Sequence, residues 1–206
     1  MAQPKILLTR IDDRFIYGQD VELWNEATGS NLVLIVNDEI AADSRKWAPM
    51  RVATAEGVWT RFFSVQRTVD IIHTATPRQL ILIMVASPAD ALALVKGGVP
   101  ITKISIGHMQ AGEGKRPITP AVAVDDADVA ALKELQTLGI ELEIRYLPSS
   151  NPDPIQLVIG DVLKRLVKRD TLGTWGRSLC AGLLGTSPSV GRLGQSFSPN
   201  VKDCPQ

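Results

Sequence analysis

An α/β domain built on an open, doubly wound, mostly parallel sheet with helices on both faces is the fold this sequence predicts. Three observations predict it. Short apolar runs rich in Val, Ile and Leu recur between Lys5 and Tyr146, helical patterns separate them, and capping or breaking residues mark the boundaries. Lys5–Thr9 (KILLT) reads as the first strand, Leu32–Val36 (LVLIV) as the second, Val58–Phe63 as the third and Leu80–Val85 (LILIMV) as the fourth. Lys103–Ile106 (KISI) and Leu142–Tyr146 complete the set. Continuous apolar runs suit strands covered on both faces, which have no need of polar alternation.

Helices fill the intervals. Asp20–Ala27 follows the first strand and Ala42–Ala53 the second; Val65–His73 places Val65, Val69 and Ile72 on one face. Ser87 is positioned to cap a helix that starts at Pro88, carries Asp90 in its first turn and stops at Gly97-Gly98. Asp125–Leu138 sets Val129, Leu132, Leu135 and Leu138 in helical register and ends at Gly139. Trp24, Trp47 and Trp59 are expected to pack around the sheet, with a partner-facing surface as the alternative for Trp24. Strand–helix alternation implies parallel strands, and ligands of such sheets bind beyond the carboxyl ends of the strands. That edge carries the loops after Thr9, Val36, Val85 and Ile106.

Composition narrows the function classes. Lys plus Arg number 22 and Asp plus Glu number 22, so the 206-residue chain has no net charge with which to hold nucleic acid or an anionic membrane in general. No apolar run approaches the ~20 residues of a membrane-spanning helix, and the N-terminus lacks a signal-peptide core, so the expected location is the cytoplasm. Cys180 and Cys204 are the only cysteines, too few for a metal site, and in a reducing compartment no structural disulfide is expected. GxGxxG, P-loop, HExxH and CxxC patterns are absent, and neither a metal nor another cofactor is expected. Residues 1–150 are expected to form the domain. In 151–206, SSNPDP reads as a linker, Ile155–Val167 as a short amphipathic helix, and the Gly-, Ser- and Pro-rich remainder from Lys168 as a poorly ordered tail.

The densest polar cluster is Arg10-Ile11-Asp12-Asp13-Arg14-Phe15-Ile16-Tyr17-Gly18-Gln19, between the first strand and the first helix. Two arginines at a strand-to-helix turn suit a phosphoryl group, because guanidinium offers forked charge-assisted bonds and the helix start adds backbone N–H donors. The plainer alternative is a charged turn whose Asp–Arg pairs hold its own shape.

RIDDRFIYGQ resembles the phosphorylation loop of the IIB proteins in the mannose/sorbose class of the bacterial phosphoenolpyruvate-dependent sugar phosphotransferase system, usually R-[IV]-D-[DE]-R-L-I-H-G-Q. The resemblance continues in order through Val36-Asn37-Asp38-Glu39, Ser87-Pro88-Ala89-Asp90, Gly97-Gly98-Val99-Pro100, Ile106-Gly107-His108-Met109 and the helix from Asp125, covering about residues 4–150. Val58–Pro100 is most similar to the N-acetylgalactosamine/galactosamine branch, with mannose-type sugars the wider class. The resemblance implies a cytoplasmic subunit, peripheral to the membrane through IIC and IID. It would take phosphate from a IIA protein and pass it to an incoming sugar; homo-oligomerisation is left open. It places the phosphate-accepting position at Tyr17. Asp12, Asp13 and Arg14 would hold the loop, with Arg10 at the motif's first arginine and Gly18 and Gln19 completing it. Asn37, Asp38, Ser87 and His108 would stand on neighbouring strand-end loops.

Three departures bear on activity. Tyr17 stands where the family has histidine; a phenol, with a pKa of ~10, is mostly protonated at neutral pH and gives a less reactive phosphate ester. Ala86 stands where the family often has lysine, and Gln110 where it often has histidine. They keep open a second reading: a paralog that docks with IIA, IIC or IID, or binds phosphate, without carrying it. A third is a general phosphometabolite-binding domain. His73 reads as a helix-end histidine favoured by the dipole. His108 reads either as an ordinary loop residue or as a phosphate donor or phosphoryl acceptor in place of Tyr17.

The tail lacks a core pattern, so truncation after Arg169 is expected to leave the melting temperature unchanged to within about 4 °C, measured by circular dichroism. A larger drop would mean that the tail packs on the domain.

Overall fold

The structure, a computed structural model, describes residues 4–15, 20–52, 57–151 and 153–154. All of these belong to the first of two units into which the chain divides, Met1–Arg165 and Leu166–Gln206. The described strands are β1 (Lys5–Asp12), β2 (Leu32–Val36), β3 (Trp59–Phe63), β4 (Leu80–Val85), β5 (Lys103–His108), β6 (Arg116–Thr119), β7 (Val122–Val124), β8 (Glu141–Ile144) and β9 (Asp153–Pro154). The helices are α1 (Asp20–Thr28), α2 (Asp38–Ala42), α3 (Trp47–Val52), α4 (Val65–Ile71), α5 (Pro88–Lys96) and α6 (Asp126–Thr137).

Seven strands form one sheet in the order β3-β2-β4-β1-β5-β8-β9, parallel except for β9. Side-chain alternation sorts the apolar runs onto two faces. Val33, Ile35, Leu82 and Met84 pack with Val21 and Trp24 of α1, Ile40 of α2 and Phe62. Leu34, Val36, Ile81, Ile83 and Val85 pack on the other face with Ala91 and Leu94 of α5 and Val129, Leu132 and Leu135 of α6. This is the doubly wound architecture the periodicity predicts, with both faces covered. Chain direction also sets the position of a cleft. From β1 the chain passes to β2, on one side, and from β5 it passes to β8, on the other. Between the carboxyl ends of β1 and β5 the connections diverge, and a crevice opens there.

Caps hold the helix ends as the sequence suggests. Ser87 accepts from the backbone N–H of Asp90, and Pro88 opens α5, while Gly98, at φ 87, supplies the left-handed turn beyond it. Asp125 and Asp128 form a capping box at the start of α6.

Several boundaries differ from expectation, each for a physical reason. β1 runs on to Asp12 rather than ending at Thr9, because the charges of Arg10 and Asp12 neutralise each other within the strand. The helix expected over Ala42–Ala53 starts earlier, at Asp38, and breaks at Asp43, whose carboxylate caps a 3-10 turn at Ser44–Lys46 before α3 begins; Ala53 lies outside the described residues. Asp153–Pro154, inside the expected linker, returns antiparallel to Glu143 and Ile144 as an edge strand, a place where proline's missing N–H is tolerated. The β6–β7 hairpin was not expected, and His73 lies in a 3-10 turn after α4 rather than in the helix. Trp24 is buried at 4% exposure, so it presents no partner surface, and Trp47 stacks on Phe62 at 5.1 Å. Trp59 is 64% exposed on the edge strand and packs on no core. Leu138 caps α6 half-exposed instead of joining its apolar face. The expected helix at Ile155–Val167 and the tail lie outside the described residues.

Leu132 is fully buried between α6 and the sheet. Leu132→Ala is expected to cost about 2–5 kcal/mol in urea unfolding, and Leu138→Ala less than about 1 kcal/mol. Equal costs would contradict this assignment of the α6 faces.

Candidate active site at the carboxyl edge of β1 and β5

The end of β1 buries two charged side chains. Arg10 is 1% exposed. Its Nη1 donates to the carbonyl of Arg145 at 2.7 Å, and its Nη2 donates to the carbonyl of Tyr146 at 3.1 Å and to Asp12 Oδ2 at 3.2 Å. The guanidinium lies 4.7 Å over the Trp24 ring. Gly107 provides its space, since a β-carbon there would overlap the guanidinium. Asp12, 3% exposed, also holds Arg14. Its Oδ1 accepts from the Arg14 backbone N–H at 3.3 Å and from Nε at 3.1 Å, and Oδ2 accepts from Nη2 at 3.2 Å. One carboxylate thus joins a buried guanidinium beneath the site to a part-exposed one facing it. Hydrogen bonding to Asp12, and secondarily to Tyr146, raises the Arg14 pKa above the ordinary arginine value against the opposing effect of burial, and fixes its charge. The Arg14 guanidinium sits 5.7 Å over the Tyr146 ring.

Phe15 follows with φ 55, a left-handed backbone that costs a non-glycine residue of order 1 kcal/mol. Burial of its ring and a 2.9 Å bond from its N–H to the Asp12 carbonyl hold it there. The strain falls at the turn that leads into residues 16–19.

Asp13 points to β5. Its Oδ1 lies 2.6 Å from His108 Nδ1, and its Oδ2 accepts from the Gln110 backbone N–H at 2.6 Å. A carboxylate has no proton to give, so Nδ1 carries the hydrogen and a neutral His108 keeps its lone pair on Nε2. Two cavities flank Arg14. One, of about 560 Å³, is lined by Arg14, Gly107, His108, Thr119, Tyr146 and Ser150, with the β6–β7 turn as a wall. The other, of about 550 Å³, is lined by Asp13, Arg14, Asn37, Lys46, Met50 and Ala86. Asp12, Asp13 and His108 offer ligand atoms within 4.8 Å of one another. They do not fit a cation, because Asp12 is saturated by two guanidinium groups and Asp13 by two N–H donors. Fixed positive charge beside open space suits an anion.

A family model for the PTS system sorbose subfamily IIB component matches residues 6–170. The chain belongs to this family. Among the relatives of this IIB component is the N-acetylgalactosamine-specific phosphotransferase enzyme IIB component 2 of Escherichia coli K12. It is 44% identical over 146 residues, which span 71% of this chain and 93% of that one. The mannose-specific EIIAB component of the same organism is 32% identical over 162 residues, 78% of this chain and 49% of that longer one. A solved N-acetylgalactosamine IIB component from Streptococcus pyogenes superposes with a TM-score of 0.72 at 35% identity, covering 76% of this chain and 98% of that one. The protein is a sugar phosphotransferase-system IIB component of the N-acetylgalactosamine/sorbose type.

Within that IIB frame the structure brings Asp12, Asp13, Arg14, Asn37 and His108 to one edge, with Asn37 capping α2. Tyr17, Gly18 and Gln19 lie outside the described residues. Arg10 belongs to β1 rather than to the loop, and its guanidinium is used beneath the site. Asp38 and Ser87 do capping work instead of lining either cavity: Asp38 accepts from the Val65 N–H at 2.9 Å and Ser87 from that of Asp90 at 3.1 Å. Sequence reasoning missed Tyr146 and Lys46, which no motif marks. Gly107 did stand in a motif segment, although its pairing with Arg10 across the sheet carries no local signal.

Gly107→Ala is expected to destabilise the protein by about 2–4 kcal/mol, since it displaces a buried guanidinium. In an Arg10→Met background the same change should cost at least about 0.5 kcal/mol less, measured as a double-mutant cycle in urea. Strict additivity would rule out the proposed contact.

Proposed function

We propose that this chain is a phosphoryl relay station, taking phosphate from a IIA protein on the cytoplasmic face and delivering it to a sugar of the N-acetylgalactosamine type presented by IIC and IID. The observation that carries the reading is the Asp12–Arg14 clamp at the end of β1. It holds a permanent cation next to the turn that leads to position 17. Transfer of a phosphoryl group needs little covalent chemistry from the protein beyond the acceptor. It needs positioning, and neutralisation of charge on the transferring oxygens. The E. coli relative at 44% identity is N-acetylgalactosamine-specific by name, and the mannose relative is an EIIAB component, which supports a IIA donor. Close docking with such a donor is consistent with a site at an exposed sheet edge.

Tyr17 favours one other reading, a subunit that docks with these partners and carries no phosphate. The phenol lacks the basicity of an imidazole, whose pKa of ~6.5 leaves much of it neutral at pH 7. The frame around position 17 still matches the family, so Tyr17→His should accept acid-labile phosphate from phosphoenolpyruvate, the general phosphotransferase proteins and IIA. Uptake should be incomplete, because Ala86 and Gln110 also depart from the family pattern. The parent should carry no acid-stable phosphate on Tyr17. Intact-mass and acid-stability measurements check both. A Tyr17→His variant that stays unmodified, beside a IIA competent on another IIB component, would remove the relay reading and leave the docking one.

A further inference from the structure

We propose that His108 is itself a phosphoryl acceptor, taking the phosphate on Nε2 in place of the imidazole that position 17 lacks. The inference rests on the relay reading above and assigns its acceptor.

Four observations carry it. Asp13 Oδ1 stands 2.6 Å from Nδ1, which fixes the ring and leaves the lone pair on Nε2. Asp13 is itself held from behind by the Gln110 N–H at 2.6 Å, so the carboxylate cannot swing away. A nucleophilic histidine oriented by a carboxylate is a recurrent arrangement for an activated imidazole. Third, His108 and Arg14 line one cavity of about 560 Å³, large enough for a phosphoryl group beside a guanidinium whose charge Asp12 secures. Fourth, the pair is poorly suited to a purely structural role. Its side chains are 23% and 29% exposed, and an ion pair so placed contributes little to stability. Strands β1 and β5 are already joined there by their ladder, and β1 is joined to the segment after β8 by Arg10. The other histidine, His73, is exposed in a 3-10 turn just before β4, at the opposite edge of the sheet.

The step balances without a further reactant. The Nε2 lone pair forms a P–N bond as the P–N bond to the donor's imidazole breaks, and that bond's electron pair stays on the donor nitrogen. The proton remains on Nδ1, where the Asp13 carboxylate offsets the positive charge the phosphorylated ring acquires. Arg14 faces the phosphoryl oxygens. Passage to a sugar hydroxyl reverses the geometry: the P–N bond breaks, the pair returns to Nε2, and the hydroxyl proton leaves to a base or water.

The test uses the full chain with phosphoenolpyruvate, the general phosphotransferase proteins and a IIA shown to be competent on another IIB component. Parent and His73→Gln should each gain one acid-labile phosphate, and His108→Gln should lose at least about tenfold in rate. Fragment-ion mapping of the parent under non-acidic conditions should place the phosphate on His108, which settles the site even if His108→Gln folds poorly. Asp13→Asn, whose amide can donate to Nδ1 and drive the proton to Nε2, should slow transfer by more than about tenfold. It should also switch the His108 tautomer seen by imidazole 15N NMR, a signature a structural tie would not produce. An unmodified parent beside a phosphorylated Tyr17→His, His108→Gln double variant would overturn the inference and the relay reading of this chain alike, and leave the docking one. Phosphate mapped to any other residue of the parent would overturn the inference alone and leave the relay reading standing. No phosphate on any variant would overturn the relay reading and this inference with it.

Discussion

The Asp12 carboxylate, set between two guanidinium groups at the end of β1, is the interaction on which the site depends. A carboxylate at 3% exposure is tolerable only when paired and hydrogen-bonded, and Asp12 is bonded to Arg10 on one side and Arg14 on the other. Arg10 in turn is accommodated because Gly107 has no side chain, because Trp24 offers its ring face, and because two carbonyls after β8 accept its N–H groups. Loss of the Asp12 carboxylate strands the buried Arg10 guanidinium, which typically costs about 3–5 kcal/mol. The same network gives the carboxyl edge its electrostatic character. Of the two arginines, only Arg14 reaches solvent, and it does so with its charge and direction already set.

That division separates the frame from the acceptor. The frame consists of the Asp12 clamp, the strained turn at Phe15 and the cavities on either side of Arg14. None of these requires a histidine at position 17. On the proposed relay, a change of acceptor would alter the nucleophile while leaving the Arg14 charge in place, and the Asp13–His108 pair lies within the same frame on the β5 side. The cavity bordered by Asn37, Lys46 and Ala86 lies on the β2 and β4 side of Arg14, and the one bordered by His108 and Tyr146 on the β5 and β8 side. On the proposed function, a phosphoryl group at Arg14 would be open to approach from either direction.

Much of the architecture was legible because it depends on local pattern. Runs such as LVLIV and LILIMV are apolar at every position, and only a strand covered on both faces buries all of them. Ser87-Pro88 and Gly97-Gly98 mark a helix by backbone chemistry that needs no tertiary partner. The misses have the opposite character. RPIT and VAV, four and three residues long, contain too little pattern to announce a hairpin, and they are strands because they pair with each other and with Met109. Trp59 has a core-like side chain on a strand that proves to be the sheet's edge, a matter of strand order alone.

By itself, then, the sequence determined the doubly wound class and the IIB family, and it pointed to the carboxyl edge of the sheet as the candidate place for a site. Each of these follows from side-chain chemistry or from the spacing of neighbours along the chain. Tertiary structure decided which charges line the cavities and which are buried in support of them. Arg10 and Arg14 are four positions apart in one motif and chemically identical, yet one packs against Trp24 and Gly107 while the other lines both cavities. It also decided that Asp13 meets His108, ninety-five residues away. The physical reason is the parallel sheet, which sets β1 beside β5 and brings their ends together across a span of sequence that no local pattern can see.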